Sequence, residues 1–375
     1  MNSINSTDIS IEAENIRFLQ FVSSLIFLTI ILTTIFGNLL VITAIIKTTK
    51  LQIMSNYLIL SLAIADLIVG IVVMSPKAII EVVYFGKWPF GAIFCDIWYT
   101  TFILCTSASI LHLLVIAIDR YLTVTKTNYS LSRNWKKIGV MIFMAWFLGL
   151  IVAIGPISGW RDYEKFLKRI DNNVCYVTYK LGFIIFSQII LCYAPVAIII
   201  PLYYVIYTKS RQKIGSNVKL NELNKKCGSI DIGSISSISI ELSTSSANKG
   251  IENKHESRSL DNIESREKKS SRLEVPRINI SDVSSNKTST MDRISRRENR
   301  VAKTLAIVTI THIICLFPFS LTVLITHIRG KKPSPKLLFS IEYWLLHCNS
   351  LFNPIIYTIF NQNFRRAFKK ILRIK

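Results

Sequence analysis

Acidic residues are scarce in this chain of 375 residues, where 23 Asp and Glu stand against 45 Lys and Arg, and charged residues of both signs reach only 18%. A mean hydropathy of +0.40 excludes the charged, well-mixed surface that a soluble protein of this length needs. No His, Cys, Asp and Glu cluster has metal-ligand spacing, no nucleophile stands beside a base, and no glycine-rich phosphate loop occurs, so no enzymatic activity is expected. Internal repeats are absent, and mid-run carboxylates are limited to one, which speaks against a transporter or channel. The first 17 residues have no basic n-region and no small-residue cleavage site, so no removed signal peptide is expected.

What the chain has instead is length in its apolar runs. Seven stretches, 18–46, 51–76, 97–118, 138–160, 181–207, 304–327 and 343–364, are free of Asp, Glu, Lys and Arg apart from Asp66. Each reaches the ~20 residues that a helix needs to cross the hydrocarbon of a bilayer. Many are rich in Ile, Val and Phe, which would favour strands in water. In lipid an unpaired strand leaves its backbone unsatisfied, so the expectation is an all-α membrane protein, a bundle of seven transmembrane helices.

Lys47, Lys50, Lys126, Arg133, Lys136, Lys137, Lys209, Arg211, Arg297, Arg300, Arg365 and Arg366 border the runs on one side, which the positive-inside rule makes cytoplasmic. Arg329, Lys331, Lys332 and Lys336 oppose this from the other side without reversing it. The predicted organisation is an extracellular tail (1–17), spans one to five (18–208), a disordered Ser-rich cytoplasmic loop (209–295), spans six and seven (296–360), and an amphipathic helix with a short tail (361–375). Both ends of the loop are expected to extend spans five and six as basic helices. Positive charge beside the spans points to membrane lipid and not to nucleic acid. No cysteine follows span seven, so a palmitoyl anchor there is not expected. Asn5 opens a glycosylation triplet on the outer tail, whereas Asn128, Asn279 and Asn286 lie inside and should stay unmodified.

Cys95 and Cys175 are the cysteines that both face the oxidising side, and a disulfide between them is expected. Asp66 is a carboxylate in mid-membrane, costly unless paired, with Ser109, Asn349, Ser350, Asn353 and Asn38 at similar depth. These oxygens either hold a hydrated sodium ion or form a polar network that orients helices; no other cofactor is expected. Asp119-Arg120-Tyr121 ends span three at the inner face, with Arg120 in reach of Asp119 or of Glu298 on span six, a pair whose rupture would free span six. Pro195, Pro318 and Pro354 should kink their helices.

In order and spacing, Gly37-Asn38, Asn56-Tyr57, Ser61 to Asp66, Trp88, Cys95, Asp119-Arg120-Tyr121, Trp146, Cys175, Pro195 with Tyr203, Glu298, Phe317-Pro318-Phe319 and Asn353-Pro354-Ile-Ile-Tyr357 resemble the rhodopsin-like G-protein-coupled receptors. Cys105 to Leu113, Gly159-Trp160-Arg-Asp, Trp344, the run from Asn349 to Tyr357 and the run from Phe364 to Ile371 are similar to the biogenic-amine branch, near tyramine, octopamine, dopamine and serotonin receptors. The resemblance implies a plasma-membrane receptor that passes an extracellular ligand's signal to a heterotrimeric G protein, with arrestin and receptor kinases as further partners. It places the ligand among Phe102, Ile103, Thr106, Ser187, Leu316, Phe319, Ser320, Tyr343 and His347. It gives Asp119, Arg120, Tyr121, Tyr203, Glu298, Asn353, Pro354 and Tyr357 to the switch and the coupling surface.

The departures fall in the pocket. Phe102 stands where amine receptors carry the aspartate that pairs with the ligand ammonium. Leu316 stands where the family has tryptophan, His312 and Ser320 replace aromatics, and His347 replaces a tyrosine. An ammonium buried there without its carboxylate would lose several kcal/mol, so the usual pose is not expected. Asp96, Glu81 and Glu342 are the nearest outer carboxylates. A second function fits the same residues, a non-signalling membrane partner or decoy of related receptors, favoured by the altered span-six positions and opposed by the intact inner ones.

Overall fold

The computed structural model describes residues 6–126, 129, 132–160, 175, 180–227, 280–329 and 336–374; for 6–17, 19, 213–227, 280–302, 336 and 337 only the backbone is described. All regular structure among them is helical. In chain order α1 spans Ser6–Lys47 and α2 Asn56–Val82, followed by α3 (Gly91–Thr125), α4 (Trp135–Trp160), α5 (Leu181–Gln188 continuing as Ala194–Cys227), α6 (Ile280–Ile328), α7 (Lys336–Phe360) and α8 (Gln362–Ile371). Among the described residues, α1 to α6 each contain a stretch long and apolar enough to cross a membrane. The 25 residues of α7 reach the same length, with Glu342 and a polar Asn349-Ser350 pair lowering its apolarity.

The bundle is apolar on the outside as well as the inside. Phe36, Phe143, Ile200 and Ile314 point outward and are more than half exposed. In water such patches would drive aggregation; hydrocarbon covers them at no cost. Inside, Leu58, Leu62, Ile110, Leu113, Ile116, Leu305, Val308 and Tyr357 form the largest core cluster, and it reaches Phe364 and Phe368 of α8. α1 packs on α2, α7 and α8, and α3 packs on both α2 and α4. The Cys95–Cys175 disulfide is present and ties the outer end of α3 to a residue 80 positions on.

The seventh helix ends at Phe360, and Asn361, where a further amphipathic helix is expected to begin, accepts from the Asn363 backbone N–H at 3.1 Å and starts α8. Phe364 therefore belongs to α8, where Phe364, Ala367 and Phe368 are buried and Arg365, Arg366, Lys369 and Lys370 are exposed. α1 begins at Ser6, inside the expected tail of 1–17. α5 runs on to Cys227 and α6 starts at Ile280, so both ends of the loop 209–295 extend the neighbouring helices as expected; extending an existing helix needs no new nucleus. Residues 228–279 and the acceptor Asn5 lie outside the described residues. Arg211–Arg296 forms a compact unit separate from the rest.

The prolines of the spans have different settings. Pro318 and Pro354 lie inside α6 and α7, and Pro201 is a third such residue. Pro195 follows a wide π turn, Ile189–Tyr193, and Pro76 follows another, Val69–Met74. A wide turn moves the carbonyl that the proline ring would strike and absorbs the missing N–H.

Gly37 fixes how closely α1 meets α7. A Cβ added there would lie 2.9 Å from Cγ of Pro354, on a ring that cannot swing away. Gly37→Ala is expected to destabilise the bundle by about 1–3 kcal/mol through overpacking. Thermal unfolding of the detergent-solubilised chain measures this, and an unchanged midpoint would mean the two helices are not in contact.

Candidate functional site

Three polar layers sit one below another inside the bundle. In the outer layer Phe102 of α3 fills the centre, its ring 5.8 Å from Tyr343, 5.5 Å from His347, 6.1 Å from Tyr99 and 6.4 Å from Phe319. His347 is held by its own helix: Nδ1 lies 2.7 Å from the Tyr343 carbonyl. A carbonyl only accepts, so Nδ1 carries a proton. Ser320 donates to Gln188 Oε1, joining α6 to α5. Leu316 packs with Cys192 and Leu346, and Phe102 and Phe319 lean on that cluster.

The pocket residues expected from sequence therefore divide. Phe102, Leu316, Phe319, Tyr343 and His347 come together around one point. Ser320 reaches across to α5. Ile103 turns toward Val152, Ala153 and Phe183 instead. Thr106 is half-buried on α3. Ser187 donates to the Ile184 carbonyl of its own helix at 3.0 Å, so its hydroxyl is already used.

Two carboxylates stand above this cluster. Glu81 accepts from Ser340 and from the Trp344 indole, both at 2.8 Å, and pairs with Lys77 at 3.0 Å. Lys77 Nζ also lies 5.2 Å from the centre of the Tyr343 ring. Glu342 accepts from Thr322 at 2.8 Å through Oε1.

The middle layer is built on Asp66, which is fully buried in α2. Ser350 donates to one carboxylate oxygen and Asn353 to the other, each at 2.7 Å. Asn38 of α1 donates to the Ser350 carbonyl at 3.0 Å and to the Thr34 carbonyl at 2.9 Å. Of the five expected partners, Ser350 and Asn353 touch the acid, Asn38 supports one of them from behind, and Asn349 and Ser109 are buried alongside.

The inner layer centres on Asp119, also fully buried. Its nearest cation is Arg133 of the following loop, at 3.0 Å, while Arg120 Nε is 4.0 Å away. Tyr129 donates to the same carboxylate at 3.1 Å, and Arg133 reaches Thr123 at 3.4 Å. Burial, with the Asp119 charge beside it, pushes the Tyr129 phenol up to about 12, so it stays a donor at neutral pH. Of the two partners expected for Arg120, Asp119 is thus engaged chiefly elsewhere, and the Glu298 side chain lies outside the described residues. Tyr121 and Tyr203 pack against Val124 and Ile206. The Tyr203 phenol and the Thr309 hydroxyl are 3.3 Å apart, joining α5 to α6. Tyr357 is buried and stacks on Phe364 at 5.3 Å.

The sequence profile of the 7 transmembrane receptor (rhodopsin family) matches residues 37–357, a stretch that contains all three layers. The chain belongs to the rhodopsin family of receptors. Among proteins of this family it is 32% identical to the 5-hydroxytryptamine receptor 1A-alpha of Takifugu rubripes, over 95% of this chain and 89% of that one. It is 32% identical to a 5-hydroxytryptamine receptor of Heliothis virescens, over 90% of this chain and 81% of that one. The octopamine receptor of Heliothis virescens is 29% identical, over 92% of this chain and 87% of its own length. The chain is a G-protein-coupled receptor of the amine-receptor-like type, and the decoy reading is not favoured.

Sequence reasoning missed Arg133, Tyr129, Lys77 and Gln188 as site residues. Nothing in local spacing marks them, since each acts on a residue brought to it by the fold. Arg133 and Asp119 are 14 residues apart across a loop. For this receptor a double-mutant cycle on Arg133→Ala and Asp119→Asn is expected to show a coupling of about 1–3 kcal/mol in thermal stability. Additive losses would mean the pair does not form.

Proposed function

We propose that this receptor is driven by a ligand from outside the cell, and that Arg120, Tyr203 and Tyr357 rearrange at the inner mouth to admit a G-protein α subunit. The observation carrying this reading is the inner layer, where buried Asp119 collects Arg133, Tyr129 and Arg120 on one carboxylate. A charge cluster that joins a span to a loop holds the two together while engaged and frees them when released, which is what a switch requires. The N terminus lies outside the cell and is glycosylated at Asn5. α8 rests on the inner leaflet, with Phe364 and Phe368 inward and Arg365, Arg366, Lys369 and Lys370 toward anionic lipid heads. Arrestin and receptor kinases bind the cytoplasmic side.

The middle layer fits a sodium ion. Asp66, Ser109, Asn349 and Ser350 offer hard oxygen donors, and the buried Asn38 Oδ1 has no hydrogen-bond partner among the described residues. Bound there, sodium supplies a counter-charge to Asp66. Asp66 and Asn353 join α2 to α7, so the ion's presence would bias how those two helices sit.

Arg120→Ala is expected to reduce nucleotide exchange on the G protein to background at unchanged surface expression; intact exchange would refute the coupling mechanism. Asp66→Asn is expected to abolish any dependence of receptor thermal stability on sodium against an equal concentration of a large organic cation. A sodium effect that survives the substitution would place the ion elsewhere.

A further inference from the structure

α5 and α6 each carry an irregularity at the same depth. In α5 the wide turn Ile189–Tyr193 is followed by Pro195, and in α6 Pro318 stands inside the helix. Both places lie near the middle of their apolar spans, Leu181–Gln212 and Lys303–Ile328. A wide turn and a proline each disturb the regular ridges by which helices interdigitate. The two helices are tied on either side of this level. Ser320 donates to Gln188 on the outer side, and the Tyr203 phenol and the Thr309 hydroxyl meet at 3.3 Å on the inner side. Between the ties lies a cavity of about 160 Å³, walled by Cys192, Val196 and Ala197 of α5 and by Ile313, Leu316 and Phe317 of α6.

The wall is apolar. Of the described residues that line the cavity, none carries a charge. The phenol of Tyr193, also on the wall, accepts from Ser320 at 3.5 Å, and the Cys192 thiol, a weak hydrogen-bonding group, packs with Leu316 and Leu346. A polar ligand would find little here to replace the hydrogen bonds it gives up. Water fares no better: an apolar cavity of about this size stays dry and admits a molecule such as benzene. Ala197 and Phe317 are exposed, on an outward face shared with Ile200 and Ile314, so the cavity opens toward hydrocarbon at mid-depth, where no lipid headgroup lies. Cys192 and Leu316 divide it from the aromatic cluster of the outer layer, since Phe102 leans on the packing they make with Leu346 and does not line the cavity.

We propose that this cavity between α5 and α6 binds a neutral, compact apolar molecule about the size of a benzene ring, which enters sideways from the bilayer. A lipid tail also reaches this depth, but it is fastened at the leaflet surface and must fix several torsions to turn its end between two helices. A rigid ring fixes none. The inference goes beyond the receptor reading and uses only the placement of the bundle in a membrane.

The test is photolabelling of the full-length receptor in nanodiscs with iodophenyl trifluoromethyl diazirine, a ring of this class, mapped residue by residue by mass spectrometry. Label on the cavity wall is expected to saturate as the probe is raised and to be displaced by excess iodobenzene. Label on Phe143, which points outward from α4, reports partition into the bilayer alone and should rise in proportion to the probe and resist displacement. Ala197→Phe places a ring of the protein's own at the opening, so the probe should bind about tenfold more weakly, with Phe143 labelled as before. Wall label that follows Phe143 without saturating, or saturable label of equal affinity in Ala197→Phe, would overturn the proposal. So would a wall that takes no label, because lipid tails then fill the space. Should Ala197→Phe fail to fold, Ala197→Leu takes up less of the cavity and must still weaken the probe; undiminished affinity there overturns it too.

Discussion

A carboxylate surrounded by hydrocarbon has to be supplied with donors by the protein itself, and in this bundle the supply to Asp66 organises the helices around it. Ser350 and Asn353 deliver both donors from α7. The Ser350 carbonyl is in turn held by Asn38 of α1. Three helices are thereby fixed in depth and rotation by polar contacts, in a medium where apolar packing alone discriminates little between one register and the next. The close approach of Gly37 to Pro354 lies on the same helix pair as the Asn38–Ser350 contact. Packing and polar contacts agree on a single arrangement there, and that agreement gives a sequence one structure.

Much of the architecture was legible because lipid imposes two blunt demands, length and satisfied backbone. Those demands identify helices and say little about where they stop. The apolar run 343–364 overlaps the amphipathic helix expected from residue 361, and the Asn361 side chain, capping that helix, marks where the one stops and the other starts. Prolines 195, 318 and 354 announced bends. The wide turns before Pro76 and Pro195 were not legible, since no side chain is needed to make one.

The site was legible to different depths. Asp66 and its α7 partners could be paired from sequence because few polar residues share that depth, so little competition exists. The inner mouth was harder. Arg120 stands beside Asp119 in sequence, and adjacency made it the obvious partner. Successive residues on a helix point about 100° apart, however, so a cation returning from the loop approaches the carboxylate more directly. In the outer layer Phe102 shapes more than its own position. A ring there stacks on Tyr343 and His347 and closes the space between α3 and α7. Lys77, Glu81 and Glu342 carry charge beside this cluster, nearer the surface.

The wide turn Val69–Met74 in α2 has a bearing on those outer charges. One surplus residue in a helix rotates everything beyond it by roughly 100° relative to a regular continuation. Lys77 and Glu81 lie beyond that point, and they face Tyr343, Ser340 and Trp344 of α7. Without the surplus residue the same two side chains would be directed about a quarter-turn away, toward acyl chains or a neighbouring helix. The bulge therefore acts as a phase shifter: it lets the lower part of α2 keep Asp66 in the polar layer while the upper part presents ionic groups to the vestibule, two orientations that a regular helix could not satisfy together.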